Sequence, residues 1–204
     1  AVATYTDAVS ISGGGVAVID QPSVAISGAV LAIVAPVISS SSSQAVVYGS
    51  AASYQIVASQ SPTSYSASGL PTGLSINTTS GLISGTPTDD VGSYTSTINA
   101  TNAGGTGTLT LTWNITPKPL TISGLSAANK VYDGTASATL SGTATLTGIV
   151  FSDDVSLSGT PTANFANKNV GTAKTVTISG YTLSGTKAGN YSLAQPAGLT
   201  ANIT

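Results

Sequence analysis

Two acidic pairs and one lysine-containing set are the side chains of this chain whose types and spacing could do chemistry. Asp89-Asp90 and Asp153-Asp154 are its adjacent carboxylates. Calcium takes about six to eight hard oxygen ligands, so these four aspartates are the candidate metal ligands. Turn or strand-cap roles are the competing reading, because neither pair sits in a dense Asp-x-Asp-x-Asp loop. The second set is Lys130, Asp133 and Asn169. A buried lysine beside an asparagine, with an acid to move the protons, could form an isopeptide crosslink with loss of ammonia. Asp133 reads as simply as a turn residue in Tyr132-Asp133-Gly134, where Asp accepts turn geometry and Gly supplies positive φ.

Little else is available. The cations are five lysines (118, 130, 168, 174 and 187) and the anions seven aspartates (7, 20, 89, 90, 133, 153 and 154); His, Cys, Glu, Arg and Met are absent. The chain is 6% charged, against about 25% for an average domain. Catalysis by proton transfer needs titratable groups set close together. No Ser-His-Asp or Cys-His set can be assembled, and the Gly-rich stretches lack the following helix that a dinucleotide site requires. Zero cysteine removes disulfides, thiol nucleophiles and Cys-type zinc sites. No basic patch exists to neutralise phosphates, so nucleic acid is not an expected partner. The reading is a non-enzyme without a cofactor, calcium being the one candidate.

The elements that must position these residues are strands. Of the 204 residues 41% are hydrophobic, the mean hydropathy is +0.31 and the net charge is −2, which argues against disorder. Thr, Val, Ile and Tyr favour strands, while Gly, Pro, Asn and Asp punctuate them. The expectation is an all-β protein: two tandem Ig-like β-sandwich domains preceded by an N-terminal strand segment.

Three parts are expected: residues 1–43, a strand segment with the serine run Ser39–Ser43 as linker; 44–116; and 117–204. The chain opens on Ala1 without a methionine, as a processed or excised polypeptide would. In 44–116, strands are expected at Val46–Tyr48, Tyr54–Ala58, Ser93–Ala100 and Gly107–Ile115, with Trp113 in the core. Pro117-Lys118-Pro119 reads as a stiff junction. In 117–204, strands are expected near Leu120–Ile122, Ser137–Leu140, Val155–Leu157, Lys174–Ile178, Tyr181–Leu183 and Leu199–Ile203. Ile-Ser-Gly recurs at 11–13, 26–28, 83–85, 122–124 and 178–180, and Ser-Gly-Thr-Pro-Thr at 84–88 and 158–162. These repeats read as strand exits.

Val24 to Val34 is almost continuously apolar, and a strand apolar on both faces must be buried on both. The longest apolar run, around Val24 to Ile38, contains Ser27, Gly28 and Pro36 and is too short to span a bilayer. Val24, Ile26, Val30, Leu31, Ile33 and Val34 are therefore candidates for a donor strand. They would pack within this chain or add to a neighbouring subunit, where strand addition satisfies ladder hydrogen bonds and fills core pockets together.

Gly69-Leu70-Pro71-Thr72-Gly73-Leu74-Ser75-Ile76, then Gly81 to Pro87, Gly92-Ser93-Tyr94 and Ala100 to Gly104 resemble an immunoglobulin-like, cadherin-like domain family of bacterial surface proteins. The resemblance covers nearly all of 44–116 and implies a small sandwich without enzymatic role; cadherin-like folds often hold calcium at domain joints. Lys130 to Thr135, Asp153-Asp154-Val155, Lys168 to Thr172, Leu183 to Gly185, Ala188 to Tyr191 and Gly198 to Ala201 resemble the YDG-type repeats of bacterial adhesins and exoproteins. That resemblance covers about 117–204 and implies extracellular β-rich modules in tandem, with no catalytic residues.

The functional expectation is an extracellular structural protein, at the cell surface or secreted: a subunit of a surface filament or a segment of a fibrous adhesin. Its partners would be copies of itself or neighbouring repeat domains. The alternative is a carbohydrate-binding accessory module that stacks glycans on some of the eight tyrosines.

Overall fold

In Gly105–Thr116 every second side chain from Leu109 onward is apolar, and threonines and Asn114 stand between them. Side chains of a strand point alternately to opposite faces, so Leu111, Trp113 and Ile115 are buried while Thr110, Asn114 and Thr116 face water. The same period recurs in each long strand. The computed structural model describes residues 33–204, and these form one unit.

The first half contains β1 (Ser43–Val47), β2 (Ala52–Gln55), β3 (Ser64–Ser68), β4 (Leu74–Ile76), β5 (Leu82–Gly85), β6 (Gly92–Asn102) and β7 (Gly105–Thr116). They make two sheets, ordered β1-β7-β6-β3 and β2-β5-β4. β1 runs parallel to β7, and β6 and β7 form a long antiparallel hairpin. Ala52, Tyr54, Ile56 and Ile83 from one side meet Val46, Ile98, Leu111 and Trp113 from the other. Trp113 is fully buried, as its alternation predicted, with its ring edge-on to Tyr54 at 5.9 Å between centroids. Its Nε1–H donates to Ser96 Oγ at 3.0 Å, and Ser96 donates to Gly69 O at 2.9 Å.

The second half contains β8 (Lys118–Ala127), β9 (Leu140–Thr147), β10 (Ser156–Phe165), β11 (Gly171–Ser184), β12 (Tyr191–Leu193) and β13 (Thr200–Ile203). Its sheets are β10-β11-β13 and β12-β8-β9. Ala163, Phe165, Val176, Ile178, Ala201 and Ile203 form the core, with Ala127 and Leu140 packed on it from the facing sheet. The described residues are thus all-β, apart from one 3-10 turn at Ala188–Asn190.

Several details differ from the sequence expectation. Lys174–Ile178 and Tyr181–Leu183 are one strand, β11, with Gly180 inside it. Ile-Ser-Gly ends a strand at 83–85 as expected. At 122–124 and 178–180 it lies inside long strands that bulge: the register shifts between Ser123 and Leu125, and between Gly159 and Thr162 opposite Gly180. Gly124 and Gly180 have φ of +82° and +95°, so these glycines bend strands that continue. The copies at 11–13 and 26–28 lie outside the described residues. Ser-Gly-Thr-Pro-Thr at 158–162 is likewise inside β10. Strand β3, with sequence SYSAS, was not expected; its alternation is carried only by Tyr65 and Ala67, which pack on the core, and it pairs with β6. The serine run is bound to the first domain: Ser39 N–H donates to Val57 O at 2.8 Å and Tyr54 Oη to Ser40 Oγ at 2.9 Å.

Candidate functional site: the joint between the two domains

One member of each acidic pair, Asp90 and Asp153, is carried to the place where the halves meet. β7 ends at Thr116 and β8 begins at Lys118, so Pro117 alone connects them. Tyr48, the residue after β1, is held by its N–H to Thr116 O at 2.9 Å and projects into the second half, where it is only 1% exposed. Its ring stands edge-on to Phe151 and to Tyr191, each at 5.6 Å between centroids. Such aromatic pairs are worth about 1 kcal/mol each beyond the area they bury. Ile115, Leu120 and Tyr191 complete the buried cluster, flanked by Val91, Val150 and Val155. The approach is close: a Cβ on Gly49 would stand 2.5 Å from Val150 Cγ2.

Polar contacts fix the orientation. Asp153 Oδ2 accepts the hydroxyls of Tyr48 at 3.0 Å and Tyr191 at 2.6 Å, one from each half. Burial, reinforced by the Asp153 carboxylate, pushes the Tyr48 phenol up to about 12, and the same causes push Tyr191 to about 12. Asn190 is a buried polar side chain with both ends of its amide engaged across the joint. Its Nδ2 donates to Asp90 Oδ1 at 2.7 Å, and its Oδ1 accepts from Val91 N–H at 2.8 Å. Lys187 Nζ stands 2.6 Å from the same Asp90 oxygen. Hydrogen bonds from Lys187 and then Asn190 hold the Asp90 carboxyl below its usual range, and Asp90 in turn raises Lys187.

The sequence builds this site through two local devices. The 3-10 turn Ala188–Asn190 sets Lys187, Asn190 and Tyr191 in one row; Asp154 anchors it by accepting Thr186 N–H at 3.0 Å and Thr186 Oγ1–H at 3.1 Å. The second device is the Ile149–Asp154 loop, where Phe151 and Ser152 take φ of +56° and +57°. That conformation is uncommon for residues other than glycine, and here it turns Phe151 toward Tyr48.

Among the candidate metal ligands, Asp90 and Asp153 reach the joint, Asp154 supports it, and Asp89 Oδ2 accepts Thr72 N–H at 2.8 Å at the Leu70–Gly73 turn. Among the described residues no three acidic side chains come together as a metal cluster. The crosslink candidates separate into two contacts. Lys130 Nζ lies 2.7 Å from Asp133 Oδ1 and donates to Thr135 and Ser137. Asn169 O accepts instead from Lys174, which also donates to Asn167 Oδ1 at 2.6 Å. Of the donor-strand candidates, Val24, Ile26, Val30 and Leu31 lie outside the described residues, while Ile33 and Val34 are 64% and 59% exposed. Tyr48, Phe151, Lys187 and Asn190 were not legible as joint residues; the Ala188-Gly189-Asn190-Tyr191 motif was the nearest signal.

Residues 35–116 match the family model described as "Putative Ig domain", and residues 116–198 match the model described as "YDG domain". No curated protein matches the chain. Similar solved structures include a "putative alpha-galactosidase" of Bacteroides fragilis NCTC 9343, at 30% identity and TM-score 0.38 over 45% of this chain and 22% of that one. Human protocadherin-24 EC1-2 is 11% identical with TM-score 0.37 over 84% of this chain and 98% of that one. A SusE-like surface located polysaccharide binding protein of Bacteroides thetaiotaomicron is 16% identical with TM-score 0.30 over 82% and 34%. This chain spans about a fifth of the length of the galactosidase. These likenesses carry no functional argument; the family matches show a putative Ig domain over residues 35–116 followed by a YDG domain over residues 116–198.

Proposed function

We propose that the chain is a rigid extracellular segment of a surface or adhesin-like protein, acting through its length and its surfaces. Ig-like and YDG domains are not enzymatic modules, and the described carboxylates are spent on hydrogen bonds. The observation that carries the reading is Tyr48, an Ig-domain side chain buried in the YDG domain behind a one-residue connector. A joint with Tyr48 and Tyr191 buried at its centre and a hydrogen-bonded rim holds two modules at one angle. Distances between spin labels placed on β3 and on β10 test this. A single narrow distribution is expected; a broad one would refute the rigid segment.

In the finer form of this reading, neighbouring copies join into a filament by strand addition through residues 24–34. The exposure of Ile33 and Val34 supports it, since two apolar side chains stand uncovered at the end of that segment. A head-to-tail contact that does not close generates a fibre. Deleting residues 1–37 should abolish fibres in electron micrographs; fibres of unchanged form would defeat the strand-addition form alone.

A further inference from the structure

The far end of the YDG domain repeats, in register, the end of the Ig domain that fills the joint. Ile115 lies between Val46, parallel, and Gly92, antiparallel. Ile203 lies between Lys130, parallel, and Gly171, antiparallel. Tyr48 N–H donates to Thr116 O at 2.9 Å, and Tyr132 N–H donates to Thr204 O at 2.8 Å. Thr116 Oγ1 donates to Val46 O at 3.3 Å, and Thr204 Oγ1 to Lys130 O at 3.4 Å. The local sequences agree: Asn-Ile-Thr stands at 114–116 and 202–204, Val-Tyr at 47–48 and 131–132, and Val-Gly at 91–92 and 170–171. Tyr132 is therefore the counterpart of Tyr48, Val170 of Val91, and Asn169 of Asp90.

The two ends differ in their cover. Tyr48 and Val91 pack in the joint cluster. Tyr132 is 49% exposed and Val170 64%. Neither this aromatic nor this valine belongs to the core of its own domain. Their neighbours in the register are the ones that, in the Ig domain, meet the next module.

We propose that the face made by Tyr132 and Val170 is the seat of a further YDG-type module. That module would close on Tyr132 with its own equivalents of Phe151, Asp153 and Tyr191, the carboxylate accepting the Tyr132 hydroxyl. Its equivalent of Asn190 would accept the Val170 N–H, as Asn190 accepts that of Val91. A second copy of the present chain does not fit, because its socket is already filled by its own Tyr48; the occupant is a YDG domain whose socket is open. The ion pair does not carry over, since Asn169 stands where Asp90 pairs with Lys187. This assigns the tyrosine of the Tyr132-Asp133-Gly134 motif the role of a connector between modules. The proposal rests on the reading of the first joint as a rigid seat.

The test appends a second copy of residues 117–204 directly after Thr204, as Pro117 follows Thr116, and measures amide hydrogen exchange by NMR in the appended and original chains. The Val170 amide should exchange about tenfold more slowly in the appended chain, the effect of one hydrogen bond placed in a packed interface. Tyr132→Ala should restore fast exchange, and Tyr132→Phe should restore it in part. A Val170 amide that exchanges equally fast in both chains, or slow exchange that survives Tyr132→Ala, overturns the proposal. So does an appended module that fails to fold behind Thr204. Tyr48→Ala in the same chain, read at the Val91 amide, separates the two readings. If it frees Val91 while Tyr132→Ala changes nothing at Val170, this inference alone fails; if Val91 is also indifferent, the rigid first joint fails with it.

Discussion

Tyr48 of the Ig domain donates its phenolic hydrogen to Asp153 of the YDG domain at 3.0 Å, across 105 positions of sequence. Tyr191 donates to the same oxygen from the other side. One carboxylate is thereby shared by two domains, and beside it the Tyr48 ring stands edge-on to Tyr191 and Phe151. The joint is held by apolar contact at its centre and by hydrogen bonds at its edge.

Removing Tyr48 should separate the domains before it unfolds either. Tyr48→Ala empties a buried aromatic site, and large-to-small changes of this kind cost about 3–5 kcal/mol. Tyr48→Phe removes one hydrogen bond while Asp153 keeps the other, at a cost of about 1 kcal/mol. Chemical denaturation should show a single transition in the parent chain, and two in Tyr48→Ala as the domains melt independently.

Acid should loosen the rim. Asp90 has its folded pKa depressed by Lys187 and Asn190, so its contribution is present above the ordinary carboxylate range and is lost as pH falls through the lower folded value. Asp90 is more than half exposed, and screening keeps the effect small. The Asn190 side-chain amide resonances should shift as the pH falls below about 4, and Asp90→Asn should remove that titration.

Alkali should act on the centre. Tyr48 and Tyr191 titrate near about 12 in the folded protein, above the ordinary phenol value of about 10. A raised folded pKa adds stability below the unfolded value, and that stability is lost as pH rises from about 10 toward about 12. Ultraviolet difference absorbance should show Tyr48 and Tyr191 ionising late, alongside Tyr94, which burial also raises, and Tyr48→Phe should remove one of the late steps.

Ser96→Ala should weaken the Ig core without changing its volume much. It leaves the Trp113 Nε1–H buried without its acceptor, which costs about 1–3 kcal/mol. Trp113 fluorescence followed through denaturation reads this directly, as it is the one tryptophan of the chain.

Calcium should leave the joint unchanged. Asp90 carries an ammonium and an amide, Asp153 two phenols, and Asp154 the Thr186 N–H and hydroxyl. The label distances across the joint and the melting temperature should be the same with calcium and with a chelator. A rise in melting temperature with calcium, absent in Asp90→Asn, would show that the ion displaces Lys187.

Strands such as β7 were legible because Leu111, Trp113 and Ile115 alternate with polar residues, and that period needs no knowledge of partners. Strand β3 was not, because its alternation rests on only Tyr65 and Ala67 among three serines, too short a signal without the ladder to β6. Ile-Ser-Gly at 122–124 has the same letters as at 83–85, yet one bends a continuing strand and the other ends one. Which occurs depends on whether the opposite strand supplies partners beyond the glycine.

The candidate site divides in the same way. Asp90 and Asp153 stood out in the sequence because carboxylates are scarce in it, but their use was set by Lys187, Asn190 and the two tyrosines that folding brings to them. By itself the sequence determined an all-β chain, two modules in tandem and a near absence of titratable chemistry, since these follow from local periodicity, turn residues and composition. Only the tertiary structure decided that Tyr48 enters the neighbouring domain while its counterpart Tyr132 faces water. Burial is a property of what surrounds a residue, and a Val-Tyr pair reads the same in both places until its surroundings are assembled.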